Sequence, residues 1–216
     1  MCARYTIFTE EEIIEIRSII DEVSRKFGDG AVNTGEIRPT NTAPVLTLED
    51  NRLVPCPVSW GFPKWDTKGV IFNARSESAL QKPMFSKPLL SRRCVIPSTG
   101  FYEWAAASVF GQQISLLPVE NATSAKEPKV KLFFRRPDEP MLYMAGMINT
   151  FQDKSGKTKN VFVILTTAAN ASMSPFHDRL PVILSPSELE DWISSEIFMR
   201  QVLARVGMEL EWKIAS

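Results

Sequence analysis

The chain has three cysteines and a single histidine, and Cys2 stands directly behind Met1. Aminopeptidases remove an initiator methionine ahead of a small second residue, so a mature chain beginning at Cys2 is expected. Its α-amine and thiol would then sit on adjacent carbons. The amine has a reference pKa of about 7.7–8.0, so a neutral fraction persists near neutrality. The thiol is intrinsically nucleophilic. Such a 1,2-aminothiol condenses with an aldehyde to an imine, and its sulfur then closes a five-membered thiazolidine. Taken alone, Cys2 reads as an incidental second residue.

Three more residue types belong to the same chemistry. His177, in Phe176-His177-Asp178-Arg179-Leu180-Pro181, stands at the entry to an apolar strand; it is either a proton-transfer group working near neutrality or a structural histidine beside the core. Glu103, between Tyr102 and Trp104, is either a desolvated acid with a raised pKa or an exposed carboxylate on an amphipathic strand. Asn73-Ala74-Arg75 follows the apolar Gly69–Phe72. Asn73 is placed to orient a polar ligand and Arg75 to fork onto a phosphate, unless they are a helix cap and a solvated cation. Trp60 and Trp65 flank a tight turn. Such rings stack on unpaired bases or fill the core, and core burial is expected of at least one.

The elements that must position these residues can be read from periodicity. Thr9-Glu10-Glu11-Glu12 has the form of a capping box. Ile13, Ile16, Ile20, Val23 and Phe27 follow at helical spacing, ending at Gly28. Short apolar runs predict strands at Pro44–Leu48, Pro57–Trp60, Arg93–Ile96, Lys131–Phe134, Met141–Met147, Val161–Thr166, Leu180–Leu184 and Leu210–Ile214. A short helix is expected at Arg75–Gln81. Ser185-Pro186-Ser187-Glu188 caps another carrying Leu189 and Trp192, and a last one runs from Glu196 to Arg205. The class is α+β, mainly β, in one domain over 1–216 with a polar surface insertion at Ala105–Lys129.

Composition removes several alternatives. With 25 basic and 25 acidic residues the formal net charge is zero, which excludes a polycation that coats nucleic acid but allows a local basic patch. No apolar run approaches the roughly 20 residues of a membrane span. The beginning of the sequence has no signal-peptide pattern, so a cytoplasmic protein is expected. The odd cysteine count and the spacings fit neither a disulfide framework nor a zinc module. Cys56 and Cys94 sit in strand-like apolar runs and read as small core residues.

The segments Met1–Tyr5, Ile37–Val45, Trp60–Trp65, Phe72–Glu77, Arg92–Pro97, Gly100–Trp104, Ile164–Asn170 and His177–Leu184, in this order, span nearly the whole chain. Together they resemble the SRAP family, the SOS-response-associated peptidases that crosslink to abasic sites. The resemblance implies a distorted barrel or sheet core with flanking helices and a positively charged groove for single-stranded DNA. It implies covalent capture of an abasic site by Cys2 as a thiazolidine, shielding the lesion in the DNA-damage response. Asn73 would orient the amine, and Glu103 and His177 would move protons. Arg4, Arg75, Trp60, Pro39, Asn41 and Arg179 would line the DNA path, with Thr166 or Thr167 supplying a supporting hydroxyl. It implies no cofactor and no metal, a monomer whose partner is abasic single-stranded DNA, and nucleoid association when DNA is bound. Ala3 stands where the family commonly has glycine, and Ser98-Thr99 replaces its usual Ala-Asp or Ala-Asn. The same residues allow two other functions: a cysteine peptidase limited to processing its own N-terminus, with Cys2, His177 and Asn73 as its centre, or a non-catalytic single-strand-binding module.

Overall fold

The computed structural model describes residues 3–8, 13–65, 68–116, 119–120, 127–152 and 156–215, without the side chains of 112–116 and 119–120. In chain order its elements are β1 (Arg4–Ile7), α1 (Ile14–Phe27), β2 (Gly35–Ile37), β3 (Thr42–Glu49), β4 (Arg52–Trp60), β5 (Phe62–Pro63), β6 (Val70–Ile71) and β7 (Asn73–Arg75). The chain continues with α2 (Ser76–Ala79), α3 (Pro83–Ser91), β8 (Arg93–Ser98), β9 (Gly100–Ala106), β10 (Val119–Glu120), β11 (Lys129–Arg135), β12 (Leu142–Gln152) and β13 (Thr158–Ala168). It ends with β14 (Arg179–Pro181), β15 (Ile183–Leu184), α4 (Leu189–Ser194), α5 (Glu196–Ala204) and β16 (Glu211–Ile214).

Five strands close on themselves. The order β13-β4-β3-β8-β12 returns to β13 because β12 and β13 also pair, from Gly146↔Ile164 to Gln152↔Thr158. This is the barrel core expected from the sequence, and closure removes the exposed edges of its strands. Gly146 permits the closure: a Cβ there would stand 2.4 Å from Ile96 Cδ1 and 2.7 Å from the Val163 carbonyl oxygen. A second sheet, β10-β11-β9-β1-β2 with β16 on β11, lies against the barrel. Tyr5, Ile7, Phe101 and Phe134 of that sheet share one apolar core with Trp60, Phe162 and Ile164 of the barrel.

The chain passes from barrel to second sheet at Ser98-Thr99-Gly100. Thr99 N–H donates to the Thr6 carbonyl at 2.9 Å, and the Thr99 and Thr6 hydroxyls lie 2.6 Å apart. A Cβ on Gly100 would fall 2.3 Å from the Phe133 ring and 2.6 Å from the Phe134 carbonyl oxygen, so only glycine fits. The Ser98-Thr99 pair that departs from the family pattern therefore forms a hydroxyl pin between the sheets.

Most predicted elements are present. The Ser185–Glu188 box forms reciprocally, with Ser185 N–H donating to Glu188 at 2.8 Å. The Thr9–Glu12 box lies outside the described residues, and α1 is seen from Ile14 onward. The expected insertion at 105–129 begins inside β9, and β10 within it pairs with β11. Cys94 is fully buried and Cys56 half-buried, both free thiols raised in pKa chiefly by burial, as core cysteines should be. No helix among the described residues is long and apolar enough to cross a membrane.

Candidate active site

Asn73 is buried on β7, whose parallel pairing with β13 sets Asn73 beside Ile164 and Arg75 beside Thr166. The approach to Asn73 is held twice: the Phe72 carbonyl accepts from Trp60 Nε1 at 2.8 Å and from Ile164 N–H at 3.1 Å. Trp60 is wholly buried, stacked on Phe162 at 6.1 Å and edge-on to Tyr5 at 5.2 Å. The expectation that Trp60 lines a DNA path is therefore corrected. Its ring fills the core, its only polar atom is used on Phe72, and it props the strand of Asn73 instead. Of the two tryptophans around the turn, Trp65 is the exposed one.

Glu103 points to the inner side of β9, the side of Phe101 and Ala105, opposite Leu132 on β11. It is 6% exposed, and burial raises its pKa, while the nearby His177 pulls it down. The two proton-transfer candidates are thus neighbours although 74 positions separate their numbers in the sequence. A desolvated carboxyl beside an imidazole supplies an acid and a base in one place.

His177 is delivered by a turn over residues 171–176, and that turn is organised by Asn170. The Asn170 amide donates to the carbonyls of Gly207 and Met208, at 3.1 and 2.7 Å. Its Oδ1 accepts from Ser172 Oγ and from Met173 N–H, at 2.8 and 3.1 Å. His177 Nδ1 lies 3.0 Å from the Arg179 N–H and 2.7 Å from Asp178 Oδ1. An unprotonated Nδ1 accepts from the first, and a protonated Nδ1 donates to the second.

Arg179 was expected to touch phosphate, and the structure places it otherwise. Its guanidinium is buried, its Nη1 and Nη2 fork onto Glu77 at 2.6 and 2.8 Å, and its Nη2 also donates to the Thr166 carbonyl at 2.5 Å. Glu77 neutralises the charge, so Arg179 acts as a strut. Thr166 and Thr167 are both buried on β13, and the Thr166 hydroxyl accepts from Arg179 at 3.4 Å.

Arg4, opposite Tyr102, lies on the other face of β9 from Glu103. It donates to Glu36 at 3.1 Å and lies over the Trp104 ring at 4.6 Å from its centre. Arg38 and Lys131 reach the same carboxylate, each at 2.8 Å. Burial pulls the Glu36 carboxyl upward, but the Lys131 and Arg38 hydrogen bonds outweigh it and hold the group low. Three cations around one acid form a basic cluster within a chain of zero net charge. Arg75 is exposed at the end of β7. It borders a cavity of about 390 Å³ with Asn73, Lys82 and Met84. Pro39 and Asn41 form a half-buried turn in which Asn41 Oδ1 accepts from the Arg38 N–H at 2.9 Å and the Asn41 carbonyl accepts from Trp60 N–H at 2.9 Å.

Cys2 lies outside the described residues. Among the described residues no group of His, Cys, Asp and Glu could hold a metal ion. Glu77, Asp178 and Asn170 were not singled out from the sequence. All three lie inside segments quoted above. Only their partners in space reveal them.

Comparison with known proteins gives the relatives of this chain. Abasic site processing protein YoqW of Bacillus subtilis is 31% identical over 210 residues, covering 90% of this chain and 80% of YoqW. YedK of Escherichia coli, also described as an abasic site processing protein, is 27% identical over 200 residues, covering 91% and 81%. The chicken protein HMCES, of the same description, is 27% identical over 185 residues, 76% of this chain and 55% of its own. A crystal structure of a protein from Bacteroides thetaiotaomicron superposes with a TM-score of 0.74 at 20% identity, covering 100% of this chain and 92% of that one, and so shares the fold. Residues 1–213 match the family described as SOS response associated peptidase, SRAP, and the chain belongs to that family.

Proposed function

We propose that this protein captures abasic sites in single-stranded DNA covalently, through a thiazolidine formed by Cys2 after Met1 is removed. The observation that carries the proposal is the buried Glu103 carboxyl, within electrostatic reach of His177, on β9 beside β1. Arg4, the first residue of β1, stands opposite Tyr102, the neighbour of Glu103. Tyr5 packs on Trp60, which anchors the strand of Asn73, tying the same start of chain to the third polar group.

In the proposed sequence Glu103, whose pKa burial raises, protonates the ring oxygen of the closed deoxyribose. The C1′–O4′ bond breaks, the C1′ hydroxyl loses its proton to His177, and the aldehyde is released. The Cys2 amine adds to C1′ and water leaves, giving the imine. The Cys2 thiolate then bonds to C1′ while the nitrogen takes up a proton, closing the ring. The net reaction joins protein and DNA with loss of one water. Asn73 orients the amine. Arg75 and the Arg4–Arg38–Lys131 cluster hold phosphates. The masked aldehyde cannot undergo β-elimination, so the strand is protected from cleavage. The protein acts as a monomer without cofactor, in the cytoplasm and on the nucleoid when DNA is bound. The relatives named for abasic-site processing support this reading.

The test is an SDS-stable adduct with an abasic oligonucleotide, present with the native chain and lost on Cys2→Ser. An adduct that survives Cys2→Ser refutes the proposal. The family's description as a peptidase favours one additional role, removal of Met1 by the same centre. That role requires Met1 to persist in His177→Ala protein and to be absent from the native one.

A further inference from the structure

We infer that Glu77 and Arg179 form a positioning clamp that fixes His177 relative to the strand of Asn73 and, through the Arg179 N–H, sets the tautomer of its neutral imidazole, with the proton on Nε2. The inference rests on the proposed function for its kinetic readout alone.

Two remote segments meet at this pair. Asn73–Arg75 runs without a loop into α2, which carries Glu77 in its first turn. Arg179 opens β14, two residues after His177. Both segments lie on β13 around one residue: Thr166 stands opposite Arg75 on one side and opposite Pro181 on the other. The guanidinium spans them, with its fork on Glu77 and a third bond to the Thr166 carbonyl at 2.5 Å. The Arg179 side chain is 10% exposed and the Glu77 side chain 48%, so the fork is shielded from one side and its geometry is bidentate. The Arg179 hydrogen bonds hold the Glu77 carboxyl below its ordinary range, against the pull of burial.

The consequence reaches the histidine through the backbone. The N–H of Arg179 itself donates to His177 Nδ1 at 3.0 Å. A ring nitrogen that accepts carries no proton, so the neutral imidazole keeps its hydrogen on Nε2. Asp178 acts against this tautomer: its Oδ1, 2.7 Å from the same Nδ1, would accept from a proton held there. The clamp opposes it by keeping the Arg179 N–H in place.

His177 is the only histidine, so a nitrogen NMR spectrum of the full chain reports one imidazole without assignment. At a pH where the imidazole is neutral, the native protein should show Nδ1 unprotonated and Nε2 protonated as the dominant form. Glu77→Gln keeps the shape of the side chain and removes its charge. It should mix the two tautomers, slow adduct formation about tenfold, and leave affinity for an intact strand within about twofold. Arg179→Lys, which cannot fork, should do the same. A native imidazole protonated on Nδ1, or a Glu77→Gln spectrum identical to the native one, overturns the clamp. A changed spectrum with an unchanged capture rate overturns its positioning role. If the native protein captures nothing, the proposed function fails, and the spectra still decide whether the clamp exists.

Discussion

The indole nitrogen of Trp60 donates 2.8 Å to the carbonyl of Phe72, the residue immediately before Asn73. A buried tryptophan in the barrel wall thereby sets where a site residue begins. Trp60→Phe should remove this bond and leave a void beside Phe162. The expected cost is about 2 kcal/mol, from one lost hydrogen bond and a partly filled cavity. Urea denaturation measures it. DNA affinity should change little, since the ring does not reach the surface; a large loss of affinity at unchanged stability would return Trp60 to the DNA path.

Glu103 makes stability depend on pH in an uncommon direction. Its pKa in the folded protein is raised above the ordinary 4.5 by burial. Between the unfolded and folded values the native state holds a proton that the unfolded chain has released. Stability therefore falls as pH rises through that window. Glu103→Gln removes the titrating group, and its stability should fall less than the native protein's from pH 4.5 upward. Thermal melts at several pH values compare the two. Parallel curves would show that Glu103 does not titrate abnormally.

Arg75 and Arg179 should separate in a salt titration. Arg75 is exposed, and Arg179 is spent on Glu77 and Thr166. Arg75→Gln should weaken binding to intact single strands and reduce the slope of log K against log salt by about 0.7, the contribution of one phosphate contact on single-stranded DNA. Arg179→Gln should leave that slope unchanged and lower the melting temperature.

Asn170 gathers four hydrogen bonds and closes the turn that delivers His177. Asn170→Ala should cost about 2–4 kcal/mol, because several partners are left unsatisfied in a buried setting. The residual folded protein should form adduct more slowly, measurable under conditions where it remains folded by circular dichroism.

The sequence disclosed what has a local signature. Periodic apolar spacing marked α1, and the Ser185–Glu188 box marked its helix start. Helix α3 was hidden by Pro83 and Pro88. The first sits where a helix has a spare N–H, and the second is tolerated inside a short helix. Strand β9 carries an inward Glu103 where alternation demands an apolar residue, so a functional side chain disguised a strand. The fork of Arg179 on Glu77 joins residues 102 apart in the chain. Nothing local to either tells a paired guanidinium from a free one, and so Arg179 reads as a phosphate ligand until its partner is seen. The grouping of Glu103 with His177 was legible through the family resemblance and not through spacing.

The central claim is that the amine and thiol of Cys2 act together on one aldehyde carbon. Intact mass of the purified chain, before and after incubation with a single-stranded abasic oligonucleotide, tests it most directly. The account predicts a protein lacking Met1, converted to a species whose mass is the sum of protein and oligonucleotide less one water, and no such species from Cys2→Ser. A chain that retains Met1 and still gains the oligonucleotide, or one that lacks Met1 and gains nothing, would contradict it.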